Sequence, residues 1–320
     1  MYKENILVIK HGSLGDWIQA TGAFQLIRAH HPRATITILT QPHYAPLAEA
    51  CGYFDEIILD NRLPFHNLAY NLKLLSKLRK SGYDRVYDLQ CSSRTNLYHF
   101  FMKGKVKKWY GRAKFCSHFV PFRPSAHAVE LSYDIIKAAG IDKLPTPELG
   151  WLKTNKLKAQ ITTFDKFVLF VPGSSAKHHL KRWTVEGYAK VIDWLASNNI
   201  KSVLTGTAID AKLVEAIIQA CSSKPINFLN KAHFAEMAEL ARHSLAIIGS
   251  DTGPMHIAAA TNRPSLVLFS KVSNPQKSRP WGKQVQVIKE EDLSNLSSDV
   301  VISELAKLLS KQPSRVKSLV

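Results

Sequence analysis

The stretch Asn5–Ile6–Leu7–Val8–Ile9–Lys10–His11–Gly12–Ser13–Leu14–Gly15–Asp16 decides the fold. Ile6 to Ile9 is an unbroken run of branched apolar residues. It lacks the in–out alternation of a half-exposed strand and reads as a strand buried on both faces of a parallel sheet. Two glycines follow, then Asp16, and from Trp17 to Ile27 apolar residues recur at helical spacing. The segment is therefore strand, glycine turn, helix, with Asp16 at the helix entrance. In open α/β sheets ligands collect at the carboxyl ends of strands, which makes Asp16 a candidate catalytic acid or base. An Asp at a helix start is equally suited to capping it, and the two roles are compatible.

The same alternation continues outward. Thr35–Leu39, Glu56–Leu59 and Arg85–Leu89 read as strands, with helices near Tyr44–Ala50 and Leu68–Leu78. Strands alternating with helices imply βαβ units and a parallel sheet. Between Met102 and Arg123 the pattern breaks: Lys103, Lys105, Lys107, Lys108, Arg112, Lys114 and Arg123 interleave with Trp109, Tyr110, Phe115, Phe119 and Phe122. Such a segment suits an anionic surface or polymer, or a strand and loop whose aromatics point inward. A helix is expected from Ala126 to a glycine stop at Gly140, then a linker from Ile141 to Asp165. A second series begins at Phe167–Val171. It runs through helices near Val185–Ala196, Ala211–Ala220 and Phe234–Arg242, and strands at Ser202–Thr205, Leu245–Ile248 and Ser265–Phe269. Two such series imply two Rossmann-like domains, 1–150 and 151–320, with a last helix near Ile302–Leu309 returning to the first domain. Lys311, Arg315 and Lys317 are expected to fray.

The 320 residues are enough for two domains. No apolar run approaches the roughly 20 residues of a membrane span, and no signal peptide is read at Met1–Asn5. Cys51, Cys91, Cys116 and Cys221 are scattered without C-x-x-C spacing, suggesting neither zinc nor a disulfide framework and pointing to the cytosol. With 43 Lys and Arg against 25 Asp and Glu, the formal net charge is +18. That excess favours an anionic partner.

Two further stretches carry chemistry. In Gly249–Ser250–Asp251–Thr252–Gly253–Pro254–Met255–His256, Ser250 or Asp251 can cap a helix whose first turn takes Pro254. Its free N–H groups and dipole suit a diphosphate, with Thr252 as a hydroxyl donor, Gly253 allowing close approach and His256 one turn in. The second stretch, Pro172–Gly173–Ser174–Ser175–Ala176–Lys177–His178–His179–Leu180–Lys181–Arg182–Trp183, follows the first strand of the second series. Its serines can wrap phosphate oxygens, and Lys181 or Lys177 can neutralise them. There is no Walker A loop, no G-x-G-x-x-G after either leading strand, no D-x-D and no zinc spacing around His178–His179.

These residues together resemble glycosyltransferase family 9, the ADP-heptose:lipopolysaccharide heptosyltransferases. The carriers are Lys10 with Gly15–Asp16, Asp88–Leu89–Gln90 with Arg94, Pro172–Gly173–Ser174, Lys181–Arg182–Trp183, and Asp251–Thr252–Gly253–Pro254–Met255–His256. Two departures stand out. Gly22 follows Ala20–Thr21 where the family often has proline, and the loop Thr205–Asp210 offers only Asp210 as an acid toward the nucleoside.

The resemblance implies a GT-B fold, two Rossmann-like domains facing each other across a cleft. It implies inverting transfer of heptose from ADP-heptose to the inner core of lipopolysaccharide. Asp16 would be the general base and Lys181 would stabilise the diphosphate leaving group in place of a metal. Ser174, Ser175, Lys181, Asp210, Asp251, Thr252, Gly253 and His256 would bind the donor. Lys10, Ser13, Gly15, Gln90 and Arg94 would bind the acceptor. No cofactor or metal is expected. The expected partners are a nucleotide-sugar, the anionic core acceptor and the anionic inner face of the inner membrane, without nucleic acid; the expected place is the cytoplasm. A non-hydrolysing sugar-nucleotide epimerase and a non-catalytic sugar-nucleotide binder are the alternatives.

Overall fold

A computed structural model describes residues 3–174 and 180–311, and the chain divides into two compact units, Met1–Pro147 and Glu148–Val320. In the first, strands β1 (Asn5–Ile9), β2 (Thr35–Thr40), β3 (Glu56–Leu59), β4 (Arg85–Asp88), β5 (Lys108–Gly111) and β6 (His118–Phe119) alternate with helices. These are α1 (Leu14–His30), α2 (Ala45–Cys51), α3 (Leu68–Lys80), α4 (Ser93–Met102) and α5 (Ala128–Lys137). The sheet is wholly parallel, in the order β3-β2-β1-β4-β5-β6. Ile6 to Ile9 are fully buried, as a strand covered on both faces must be.

The second unit repeats the plan. It holds α6 (Lys158–Phe164), β7 (Phe167–Val171), α7 (Val185–Ser197), β8 (Lys201–Leu204), α8 (Ala211–Ala220), β9 (Ile226–Asn227) and α9 (Phe234–His243). Then come β10 (Ala246–Ser250), α10 (Gly253–Ala259), β11 (Ser265–Phe269), α11 (Pro275–Ser278), β12 (Val285–Lys289) and α12 (Ser298–Ser310). Its sheet, also parallel, has the order β12-β11-β10-β7-β8-β9. Numbered within its own unit, each sheet is the 3-2-1-4-5-6 arrangement of Rossmann folds. The strand order reverses between the first and fourth strands, and ligands bind at the carboxyl ends there. Those switch points are β1/β4 and β7/β10. The informative stretches after β1, β4, β7 and β10 all lie at them.

Some expectations need correction. The break at Met102–Arg123 holds the two outer strands β5 and β6, which are short and basic and so hide their strand character. Trp109 and Tyr110 are buried, but Phe115 is 79% exposed and Phe119 and Phe122 are each 58% exposed, so only some of the aromatics point inward. The linker Ile141–Asp165 contains α6, pinned by buried Leu157, Ile161 and Phe164. The last helix begins at Ser298 and contributes to the core of its own unit. Val301, Leu305, Leu308 and Leu309 join the second unit's core with residues of α7, β10 and β11, and the indole of Trp183 donates to the Leu296 carbonyl just before it. Arg315 and Lys317 lie outside the described residues, as do Ser175, Lys177, His178 and His179.

Candidate functional site

In the first unit, the chain leaves β1 through Lys10 and turns at Gly12. Gly12 has φ of +115°, and an added Cβ would sit 2.3 Å from the Tyr44 ring, so only glycine fits. Ser13 is the N-cap of α1, and half-buried Asp16 occupies the third helical position. Asp16 Oδ2 accepts from the Ser13 amide at 3.2 Å and the Ser13 hydroxyl at 3.0 Å. This is the reciprocal arm of a capping box, so the cap is real, and it fixes the carboxylate at the carboxyl edge of β1. Gly15 is buried in the same turn.

Lys10 is buried, and its Nζ donates to the Leu89 carbonyl at 3.1 Å. Burial pushes its pKa down, while the charges of Asp16, Cys91 and Asp88 oppose that shift. Burial, with the Asp16 charge adding to it, pushes the Tyr44 hydroxyl up. Asp16 therefore sits electrostatically between Lys10 and Tyr44. Gln90 bridges the two strand ends: its Oε1 accepts from the His11 amide at 2.9 Å, and its own amide donates to Asp88 at 3.1 Å.

Arg94 is placed differently from the other residues expected to hold the acceptor. Its buried guanidinium donates to the Leu63 carbonyl, to Asn71 at 3.3 Å and to Tyr98 at 3.4 Å, lies 3.7 Å from Asp60 and stacks on Phe65. It organises the 60–71 loop. The hub of that network is Asp60, fully buried, which sequence reasoning missed. It accepts from the hydroxyls of Tyr98 and Tyr70 and from the Arg62 amide, and lies 3.1 Å from His11 Nε2. Burial alone would raise its pKa, but nearby His11 and the bonds from Tyr98 and the Arg62 amide outweigh that and hold the carboxyl well below the usual range. His11 stood in the opening stretch; its partner is 49 positions away in sequence, and no local pattern announces it.

In the second unit, the stretches after β7, β8 and β10 meet at one sheet edge. Ser174 is buried; its hydroxyl accepts from Arg182 Nε at 3.1 Å and its carbonyl from Nη2 at 3.2 Å. Arg182 lies 3.8 Å from Asp210, which caps its own turn by accepting from the Thr207 amide and hydroxyl, each at 3.0 Å. Arg182 thus ties Asp210 to the Ser174 loop. Lys181 Nζ is 2.6 Å from Asp251 Oδ2 and donates more weakly to the Asp251 carbonyl at 3.4 Å. Thr252, not Ser250 or Asp251, is the N-cap residue of α10, because β10 runs on through Ser250. Thr252 Oγ1 is buried and makes no hydrogen bond among the described residues. Gly253 opens α10, and His256 is buried in its first turn. Among the described residues no group of three or more His, Cys, Asp or Glu side chains is gathered as a metal site requires.

This arrangement offers a fixed carboxylate at one switch point. At the other it offers a cation held by an acid, beside hydroxyl donors. Comparison with known proteins gives it a context. A Haemophilus influenzae chain named only as a candidate glycosyltransferase is 41% identical over 310 residues, covering 87% of this chain and 86% of that one. Lipopolysaccharide heptosyltransferase 3 of Escherichia coli K12 is 26% identical over 291 residues, 85% of this chain and 83% of its own. The structure of E. coli ADP-heptose lipopolysaccharide heptosyltransferase II superposes with a TM-score of 0.78 at 23% identity, covering 96% of this chain and 99% of that one. A family model described as glycosyltransferase family 9 (heptosyltransferase) matches residues 71–307. The chain belongs to glycosyltransferase family 9 and is a glycosyltransferase of the GT-B type.

Proposed function

We propose that the protein transfers heptose from ADP-heptose to the inner core of lipopolysaccharide with inversion at the anomeric carbon. The observation that carries this reading is the relative named lipopolysaccharide heptosyltransferase 3, matched along 85% of the chain. The acceptor hydroxyl oxygen attacks the anomeric carbon, the bond from that carbon to the diphosphate oxygen breaks, and the hydroxyl proton passes to Asp16. Asp16 suits this role because its carboxylate is held by Ser13 at a strand's carboxyl edge and stays partly open to solvent. Lys181 answers the charge that builds on the leaving ADP. Asp251 holds that ammonium at 2.6 Å, and an arriving diphosphate competes for it. Ser174, Thr252, Gly253 and His256 line the same edge, with Asp210 tied in through Arg182; Ser175, next in sequence to Ser174, is proposed to join them. Lys10, Ser13, Gly15 and Gln90 shape the acceptor side, and Arg94 supports it from behind.

The reaction needs no metal in this scheme, and the acceptor is met at an anionic membrane surface. The test is purified protein with ADP-heptose, a truncated lipopolysaccharide and excess chelator, read by the mass of the acceptor. A gain of one heptose in the presence of chelator is expected. A gain only with another nucleotide-sugar would reassign the donor, and isomerised nucleotide-sugar without transfer would overturn the reading.

A further inference from the structure

Arg112 follows directly on β5 and lies at the carboxyl edge of the first sheet, one strand over from Asp88–Cys91. Its guanidinium stacks on the Phe122 ring, 4.9 Å from the centroid. Nε and Nη2 are shielded from water, and neither donates a hydrogen bond to any described residue. No carboxylate lies within ion-pair distance of it among the described residues. Every neighbouring arginine with a structural task has a partner: Arg94 has Asp60 and Asn71, Arg85 has Glu4, and Arg123 has Asp134. A guanidinium cannot shed its proton to escape desolvation, so unpaired buried N–H groups are unfavourable until something accepts from them.

The surroundings narrow what that partner is. Arg112 is close enough to Cys91 and to Lys10 for its charge to lower the pKa of each. Lys10 Nζ donates to the Leu89 carbonyl in the same turn at 3.1 Å. Two cations therefore flank Leu89–Cys91 at the edge that carries Ser13 and Asp16. A planar fork beside a point charge matches a carboxylate or a phosphate.

We propose that Arg112, with Lys10, forms an anion subsite that grips a carboxylate or phosphate group of the acceptor. This rests on the reading that the first unit receives the acceptor, and it adds a specificity-determining residue that the motifs do not include. Three acceptors separate the possible sources: the intact truncated lipopolysaccharide, a phosphatase-treated form and a carboxyl-amidated form. Arg112→Gln in the full chain should raise the KM for the intact acceptor about 10- to 100-fold, leaving kcat and the donor KM within about twofold, and Arg112→Lys should recover part of the loss. Whichever treatment raises the wild-type KM and abolishes the difference between wild type and Arg112→Gln identifies the group. An unchanged KM in Arg112→Gln, or an equal loss on all three acceptors, overturns the proposal.

A second readout does not depend on turnover. The Arg112 Nε–H resonance of the wild-type chain should shift saturably with gluconate or inorganic phosphate and stay still with glucose. If transfer from ADP-heptose fails but this shift is seen, the subsite stands and the donor reading falls. If transfer proceeds and the resonance ignores both anions, the subsite falls alone.

Discussion

Asp16 caps α1, and one substitution separates that task from its proposed role as general base. Asp16→Asn keeps an oxygen that can accept from the Ser13 amide and hydroxyl, so the cap survives. It cannot take a proton, and turnover should fall roughly 10²- to 10⁴-fold, the usual worth of a positioned base. The thermal midpoint and ADP affinity should stay near wild type; normal turnover would reduce Asp16 to a cap. Lys181→Ala should weaken ADP binding by about 1.5–3 kcal/mol, the range of a charge-assisted contact, read by titration calorimetry. An affinity equal to wild type would move the leaving-group cation elsewhere.

Asp60 gives the pH dependence its sign. Its folded pKa is depressed below the unfolded value, which is about 3.9. The carboxylate therefore contributes stability above that value, and the contribution is lost as pH falls through it toward the folded pKa. Asp60→Asn should cost about 3–5 kcal/mol at neutral pH, as broken buried pairs do. It should also flatten the acid limb below about pH 4 in urea melts. An acid limb of unchanged slope would mean that another carboxylate governs it.

Elements were legible in the sequence where one strand announces itself by an unbroken apolar run. β1, β7 and β11 are such runs, and the residues trailing β1, β7 and β10 were found because a strand's carboxyl end lies next to it in sequence. The outer elements were not. β6 and β9 are two residues each, too short for any period to show, and the basic charge of β5 resembles a solvated loop. Contacts that join distant elements were equally hidden: Lys181 meets Asp251 across 70 positions, and His11 meets Asp60 across 49.

The departure at Gly22 also has its reason at the element scale. Mid-helix glycine is normally unfavourable by about 1 kcal/mol, yet here an added Cβ would lie 2.5–2.7 Å from the backbone of Thr146. The closing segment of the first unit crosses α1 at that point. Gly22→Ala should therefore destabilise by about 1–3 kcal/mol despite its better helix propensity, measured by urea unfolding. A gain in stability would show that the Thr146 segment yields freely.

At the scale of the whole molecule, the charge of +18 favours an anionic partner, and we propose that the first unit meets it. No helix among the described residues is long and apolar enough to cross a membrane; what the surface offers is aromatic and basic side chains together. Phe115 is the most exposed of these aromatics, and Lys114 lies 4.9 Å from its ring centroid. Arg112 and Phe122 pair in the same way. β5 divides the basic segment: Lys103 and Lys105 precede its amino end, whereas Arg112, Lys114 and Phe115 follow its carboxyl end, the edge that carries Asp16. Basic residues near an anionic leaflet contribute roughly 1 kcal/mol each, and a phenylalanine leaving water contributes about 1.5–3 kcal/mol. The protein should therefore sediment with phosphatidylglycerol vesicles and not with phosphatidylcholine vesicles, and added salt should release it. Phe115→Ser with Lys114→Gln should weaken the binding about tenfold or more, while Lys103→Gln with Lys105→Gln should weaken it less, because those lysines precede β5 at the sheet edge opposite Asp16. Equal loss from both pairs would mean diffuse charge attraction without a defined face. Sedimentation indifferent to lipid charge and to salt would remove the membrane from the account and leave the acceptor's own anions as the partner for the basic surplus.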